Sequence, residues 1–82
     1  MILVDIYVPV LDKTYDFSLD ENARVEDVTE EVIEVICQQE QCELLGAPSD
    51  LILCQIDRHR ILGRDSTLRE NGIGAGDCLT LL

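Results

Sequence analysis

The chain has 82 residues, 46% of them hydrophobic, which is enough for one modest core and too little for two. Its acidic excess, 17 Asp and Glu against 6 Lys and Arg for a net charge of -11, repels phosphate backbones and anionic lipid. Nucleic acid and membrane surfaces are therefore poor partners, and a basic patch on another protein is a better one. No basic segment followed by an apolar run opens the sequence, and Asp5 interrupts Met1-Ile2-Leu3-Val4. Neither a signal peptide nor a spanning helix is predicted, and the expected location is cytoplasmic.

Residues Ile2 to Val10 alternate, with Ile2, Val4, Ile6 and Val8 on one face and Leu3, Asp5, Tyr7 and Pro9 on the other, the period of a half-buried strand. A polar turn around Asp12-Lys13-Thr14 leads into Tyr15, Phe17 and Leu19, which alternate with Asp16, Ser18 and Asp20. This second stretch is predicted to pair back as a hairpin, its charged positions suiting a sheet edge. From Val25 the period changes: Val28, Val32, Val35, Ile36 and Gln39 follow at three- and four-residue steps, while Glu26, Asp27, Glu30, Glu31 and Glu34 fill the remaining arc. The spacing predicts a helix from Val25 to Glu43, stopped by Gly46 and Pro48. Its β-branched cluster Val32, Ile33, Val35 and Ile36 lowers intrinsic helix propensity, so tertiary contacts must hold it.

Leu51-Ile52-Leu53-Cys54-Gln55-Ile56 is a continuous run of strand length, and Asp57-Arg58-His59-Arg60 turns it into a short strand at Ile61-Leu62. Thr67 to Ile73 reads as a helical turn ended by a left-handed glycine. Gly74-Ala75-Gly76-Asp77 makes a tight turn into a last strand, Cys78 to Leu82. With no repeat, low-complexity tract or linker, residues 1–82 are expected to form one domain.

Hairpin, helix, two further strands, a turn and a closing strand, with the first and last strands side by side, is the α+β arrangement called β-grasp. Thr67-Leu68, Gly72-Ile73 and Gly76-Asp77 followed by Leu79 and Leu81 resemble the closing third of ubiquitin-like domains, and Ala47-Pro48-Ser49-Asp50 before the third strand is similar too. The size, the immediate start on a strand, the long acidic helix and the apolar ending resemble the YukD/EsaB family, the ubiquitin-like accessory proteins of Gram-positive type VII (WXG100) secretion systems. That resemblance implies a cytosolic protein whose partner is the membrane-embedded secretion ATPase or another cytoplasmic component of the machinery.

Little in the sequence can do chemistry, and no enzyme is expected. Its one histidine, His59, sits in a predicted hairpin loop with no neighbour that would make a base–nucleophile pair. Ser18, Ser49 and Ser66 occupy no nucleophile-elbow context, and Gly72, Gly74 and Gly76 have no phosphate-loop spacing. Cys37, Cys42, Cys54 and Cys78 contain no CxxC pair. Cys37 and Cys42 reproduce the CxxxxC opening of plant-type ferredoxins, but the third cysteine is missing, and buried reduced thiols are the expected state. No metal or other cofactor is predicted. The ending Thr80-Leu81-Leu82 lacks the Gly-Gly that conjugated ubiquitins and sulfur carriers use. Noncovalent docking is the expected mode; a degenerate iron–sulfur or sulfur-carrier protein and a β-grasp adaptor of an unrelated bacterial complex are the alternatives.

Two surfaces qualify for docking. If Val4, Ile6 and Ile56 face the helix, then Leu3, Tyr7, Leu51, Leu53, Cys78 and Leu82 form an apolar patch on the other side of the sheet. Arg58, Arg60 and Arg64, with Arg69, collect around loops opposite the acidic helix. The resulting charge dipole suits steering onto a complementary partner or weak head-to-tail self-association.

Overall fold

The computed structural model describes residues 1–41 and 51–82. Strand β1, Ile2–Val8, and strand β2, Lys13–Leu19, form an antiparallel hairpin that pairs Ile2 with Leu19 and Val8 with Lys13. Helix α1 spans Val25–Glu40. It is followed by β3 at Leu53–Gln55, a 3-10 turn at Ile56–Arg58, β4 at Arg60–Ile61 and β5 at Cys78–Leu81. The sheet order is β2-β1-β5-β3-β4, with β5 parallel to β1 and antiparallel to β3. This is the expected β-grasp architecture, a helix packed on a mixed sheet with the first and last strands adjacent.

One buried cluster joins the helix to the sheet. It takes Val4, Ile6 and Val8 from β1, Val28, Val32 and Ile36 from α1, and Leu53, Leu79 and Leu81 from β3 and β5. Leu62, Leu68 and Ile73 close it from the loops. Alternation in β1 thus places its residues as predicted. The first strand nevertheless ends at Val8, because Pro9 has no N–H for the ladder and the Leu11 N–H turns back to the Val8 carbonyl at 3.1 Å. The hairpin turn is accordingly Pro9 to Asp12, ahead of the expected Asp12 to Thr14, with Asp12 at φ 50°.

Helix α1 begins at the predicted residue without a side-chain cap. Its first N–H groups are satisfied by the loop before Leu68 instead: Val25 donates to the Ser66 carbonyl at 2.8 Å and Glu26 to the Arg64 carbonyl at 3.2 Å. The helix stops at Glu40, short of the expected Glu43, where Gln41 adopts φ 52° and its N–H caps the Cys37 carbonyl. The stop signals proposed at Gly46 and Pro48, and the Ala47 to Asp50 segment, lie outside the described residues. The buried face includes Thr29 and Ile33 as well as Val28, Val32 and Ile36, whereas Val35 is half-buried and Gln39 exposed. Thr29 is accommodated because its hydroxyl donates to the Val25 carbonyl at 2.8 Å.

The third strand departs most from expectation. Only Leu53 to Gln55 is strand, and β4 is Arg60–Ile61 in place of Ile61-Leu62. Leu53, expected on the outer face, is 1% exposed and paired in register with Leu81 in the core. Leu51 is half-buried and packs against the same core. Ile56, expected to face the helix, is 54% exposed, because the backbone leaves the strand at Gln55 and turns through the 3-10 segment.

The closing turns are tightly specified. Thr67 and Glu70 exchange side-chain to backbone hydrogen bonds, each 3.0 Å, as a capping box. At the other end of that turn Gly72, at φ 73°, donates to Arg69, and Ile73 donates to Leu68, which is the Schellman arrangement.

Candidate protein-docking face

Among the described residues the sheet has a helix on one side only, so the register of the other side determines what is displayed. Tyr7 pairs with Thr14 on β2 and Thr80 on β5, Thr80 with Cys54 on β3, and Cys54 with Ile61 on β4. This row crosses all five strands on the face away from α1. In the neighbouring row Asp16, Asp5 and Cys78 stand side by side.

The row is polar on the β2 side and apolar on the β4 side. Ile56, Ile61 and Leu82 are 54%, 68% and 51% exposed. Together with Cys54, Gln55, His59 and Arg60 they line a shallow depression of about 210 Å³. A second hollow, about 160 Å³, is bordered by Asp5, Tyr7, Thr14, Asp57 and Thr80, and it meets the first at Ile56. The expected site residues thus separate. Leu3, Tyr7 and Leu82 do point outward, but Leu3 lies beyond the acidic row, paired with Ser18, and away from Leu82. Leu51 and Leu53 belong to the core side.

The cations are divided as well. Arg58 and Arg60 are exposed on either side of His59, which holds φ 51° at the end of the 3-10 turn. The Arg60 guanidinium donates to the Asn71 carbonyl, and Arg58 approaches Gly72, so both flank the Thr67 to Gly72 turn near the apolar depression. Arg64 instead reaches the Leu51 carbonyl at 3.4 Å and is partly buried. Lys13 and Arg24 are engaged with Glu40 and Glu26 at 2.8 and 3.7 Å. On the far side of the molecule Asp27, Glu30, Glu31 and Glu34 are exposed along α1.

Burial pushes the Cys54 thiol above its ordinary range and away from nucleophilic thiolate. The Tyr7 hydroxyl donates to Asp12 at 2.8 Å, and that hydrogen bond, with desolvation and the carboxylate's charge, raises its pKa too. Asp5 is raised chiefly by its hydrogen bond to Asp16, with desolvation and the like charge of Asp16 adding to it. Cys37, Cys54 and Cys78 are free thiols, and among the described residues no group of three or more His, Cys, Asp or Glu is arranged to hold a metal. Cys42 of the CxxxxC spacing lies outside the described residues.

Ile56 and Ile61 are the exposed residues that sequence reasoning did not assign to this face. The hairpin register would have revealed Asp5 opposite Asp16, but no periodicity exists in a two-residue strand to orient Ile61.

The family model described as "WXG100 protein secretion system (Wss), protein YukD" matches residues 3–81. The chain belongs to the YukD family. Its members are ubiquitin-like accessory proteins of type VII secretion, and the solved structures agree on the fold. The ubiquitin of Caldiarchaeum subterraneum superposes with a TM-score of 0.71 at 22% identity, covering 98% of this chain and 89% of that one. A protein designed on the template of human erythrocytic ubiquitin gives 0.72 at 26% identity, covering 100% and 90%. An N-terminal ubiquitin-like domain gives 0.73 at 22% identity, covering 99% and 72%. No curated protein matches the chain significantly. Among the described residues of this YukD-family chain, no helix is long and apolar enough to cross a membrane.

Proposed function

We propose that this YukD-family chain is a cytosolic, noncovalent docking module of the type VII secretion machinery, and that it engages its partner through the sheet face opposite α1. The observation that carries the reading is the trio Ile56, Ile61 and Leu82, three aliphatic side chains each more than half exposed around one depression, beside the cations Arg58 and Arg60. Burying such a group behind a polar rim is the usual energetic centre of a protein interface. The acidic α1 face supports long-range steering toward a basic partner rather than contact. The partner is the membrane-embedded secretion ATPase or a cytoplasmic component that works with it.

The reading is tested in the host that encodes the chain. Deleting the gene should reduce export of WXG100-type substrates, and an Ile61→Asp copy should fail to restore it, whereas Glu30→Lys should restore it. The chain recovered from those cells should have its unmodified mass. Normal export in the deletion strain would refute the secretion role, and a covalent adduct on another protein would refute the noncovalent mode.

A further inference from the structure

The sheet face carries charge of both signs in a fixed order. At one end Asp16 and Asp5 are directly paired across β2 and β1. Among the described residues the ion pairs are Lys13 with Glu40 and Arg24 with Glu26, so neither Asp5 nor Asp16 is paired with a described cation. Ile56, Ile61 and Leu82 occupy the middle. Arg60 lies at the β4 edge of the depression they line, bonded to a backbone carbonyl, with Arg58 beside the neighbouring Gly72 turn, and no carboxylate partner occurs for either among the described residues.

Resting on the docking reading above, we propose that the face accepts a partner segment whose Lys or Arg lies over Asp5 and Asp16, whose aliphatic side chain fills the depression at Ile61, and whose Asp or Glu meets Arg58 and Arg60. Two arguments lead there. Like charges directly opposite in an antiparallel pair are unfavourable in the free protein, and a cation placed over them turns that repulsion into attraction. The same cation set against Arg58 and Arg60 would be repelled, so the face discriminates the direction in which the segment lies as well as its composition. At about 4.8 Å between neighbouring strands, β1 and β4 are separated by roughly 14 Å. The segment therefore crosses the strands, with its cation and carboxylate separated by at least that distance, and is not a strand added at an edge.

The test is display selection of random twelve-residue peptides against the purified chain at physiological salt, followed by affinity measurement. The selected peptides should carry a cation, an aliphatic residue and a carboxylate in one constant order, and amide shifts on binding should map to Tyr7, Cys78 and Ile61. Replacing the peptide's cation by Ala should weaken binding about threefold to tenfold. That loss should vanish in an Asp5→Asn, Asp16→Asn variant that keeps its folded spectrum, and Arg58→Glu should remove the need for the peptide's carboxylate instead. Selected peptides without ordered charges, shifts confined to α1, or a cation effect unchanged in the Asn variant would each overturn the inference. So would a selection that yields no binder. Failure here with Ile61→Asp still blocking export removes only the charge order; charge-ordered binding with export intact in Ile61→Asp removes the docking role in secretion.

Discussion

Asp5 and Asp16 face each other across the β1 and β2 pair, with Cys78 beside Asp5 at 3.9 Å from its carboxylate. The hydrogen bond to Asp16, desolvation and the like charge together raise Asp5 above its usual 3.8. A carboxyl that binds its proton more tightly when folded contributes stability that is fully present below 3.8 and lost as pH rises through the raised folded value. At neutral pH the pair is therefore a net repulsion. Asp16→Asn should raise the melting temperature at pH 7, and carbon-detected titration of Asp5 should show its pKa moving back toward 3.8; an unchanged pKa would mean the two carboxyls do not interact.

Glu40 has the opposite sign. Its carboxylate accepts from Lys13 at 2.8 Å and from the Tyr15 hydroxyl at 2.7 Å, and these hold it below its usual 4.5. The corresponding stability is present above 4.5 and lost as pH falls through the lowered folded value. Glu40→Gln should lower the melting temperature at pH 7, and the difference from wild type should shrink as the pH is lowered past that range. The contact ties the end of α1 to the edge strand, so amide exchange should quicken at both Tyr15 and Gln39 in the variant.

Leu53 and Leu82 separate core from surface. Leu53 is 1% exposed against Leu81, and Leu82 is 51% exposed. Leu53→Ala should cost about 2–5 kcal/mol by leaving a cavity, and Leu82→Ala should stay within about 0.5 kcal/mol. Equal losses in denaturant titrations would contradict the register of β3.

Gly72 and Gly76 adopt φ 73° and 87°, and Gly74 does not adopt a left-handed angle, although nothing lies within 4 Å of a Cβ at Gly74 or Gly76. Substitution by Ala should therefore cost about 1–2 kcal/mol at Gly72 or Gly76 through backbone conformation alone, and far less at Gly74. Thermal unfolding of the three variants measures the contrast.

The buried carbonyl of the Gln55 side chain has no hydrogen-bond partner among the described residues. Gln55→Met keeps the volume and removes the polar atom, so it should be neutral or stabilising in denaturant titrations.

The sequence made the fold legible where periodicity was strong. Ile2, Val4, Ile6 and Val8 alternate against polar neighbours, and Val28, Val32 and Ile36 repeat at helical spacing, so one face of each was evident. Leu51 to Ile56 had no such contrast: an unbroken apolar run does not say which residues point inward, and Leu53 and Ile56 were assigned to the wrong faces for that reason. The helix end was hidden because Gln41, and not a glycine, takes the left-handed angle. Of the candidate face, Tyr7 and Leu82 were readable from alternation in the first and last strands. Ile61 depends on pairing with Cys54, a long-range contact that a two-residue strand cannot signal.

The most direct test of docking through the sheet face is a photo-crosslinking residue placed at Ile61 and, separately, at Glu30 on α1, in living cells of the encoding host. Illumination should link the chain to a component of the type VII machinery from position 61 and not from position 30. Crosslinks to that machinery from position 30 alone would contradict the assignment of the docking face, and crosslinks to it from neither position would contradict direct docking through either face.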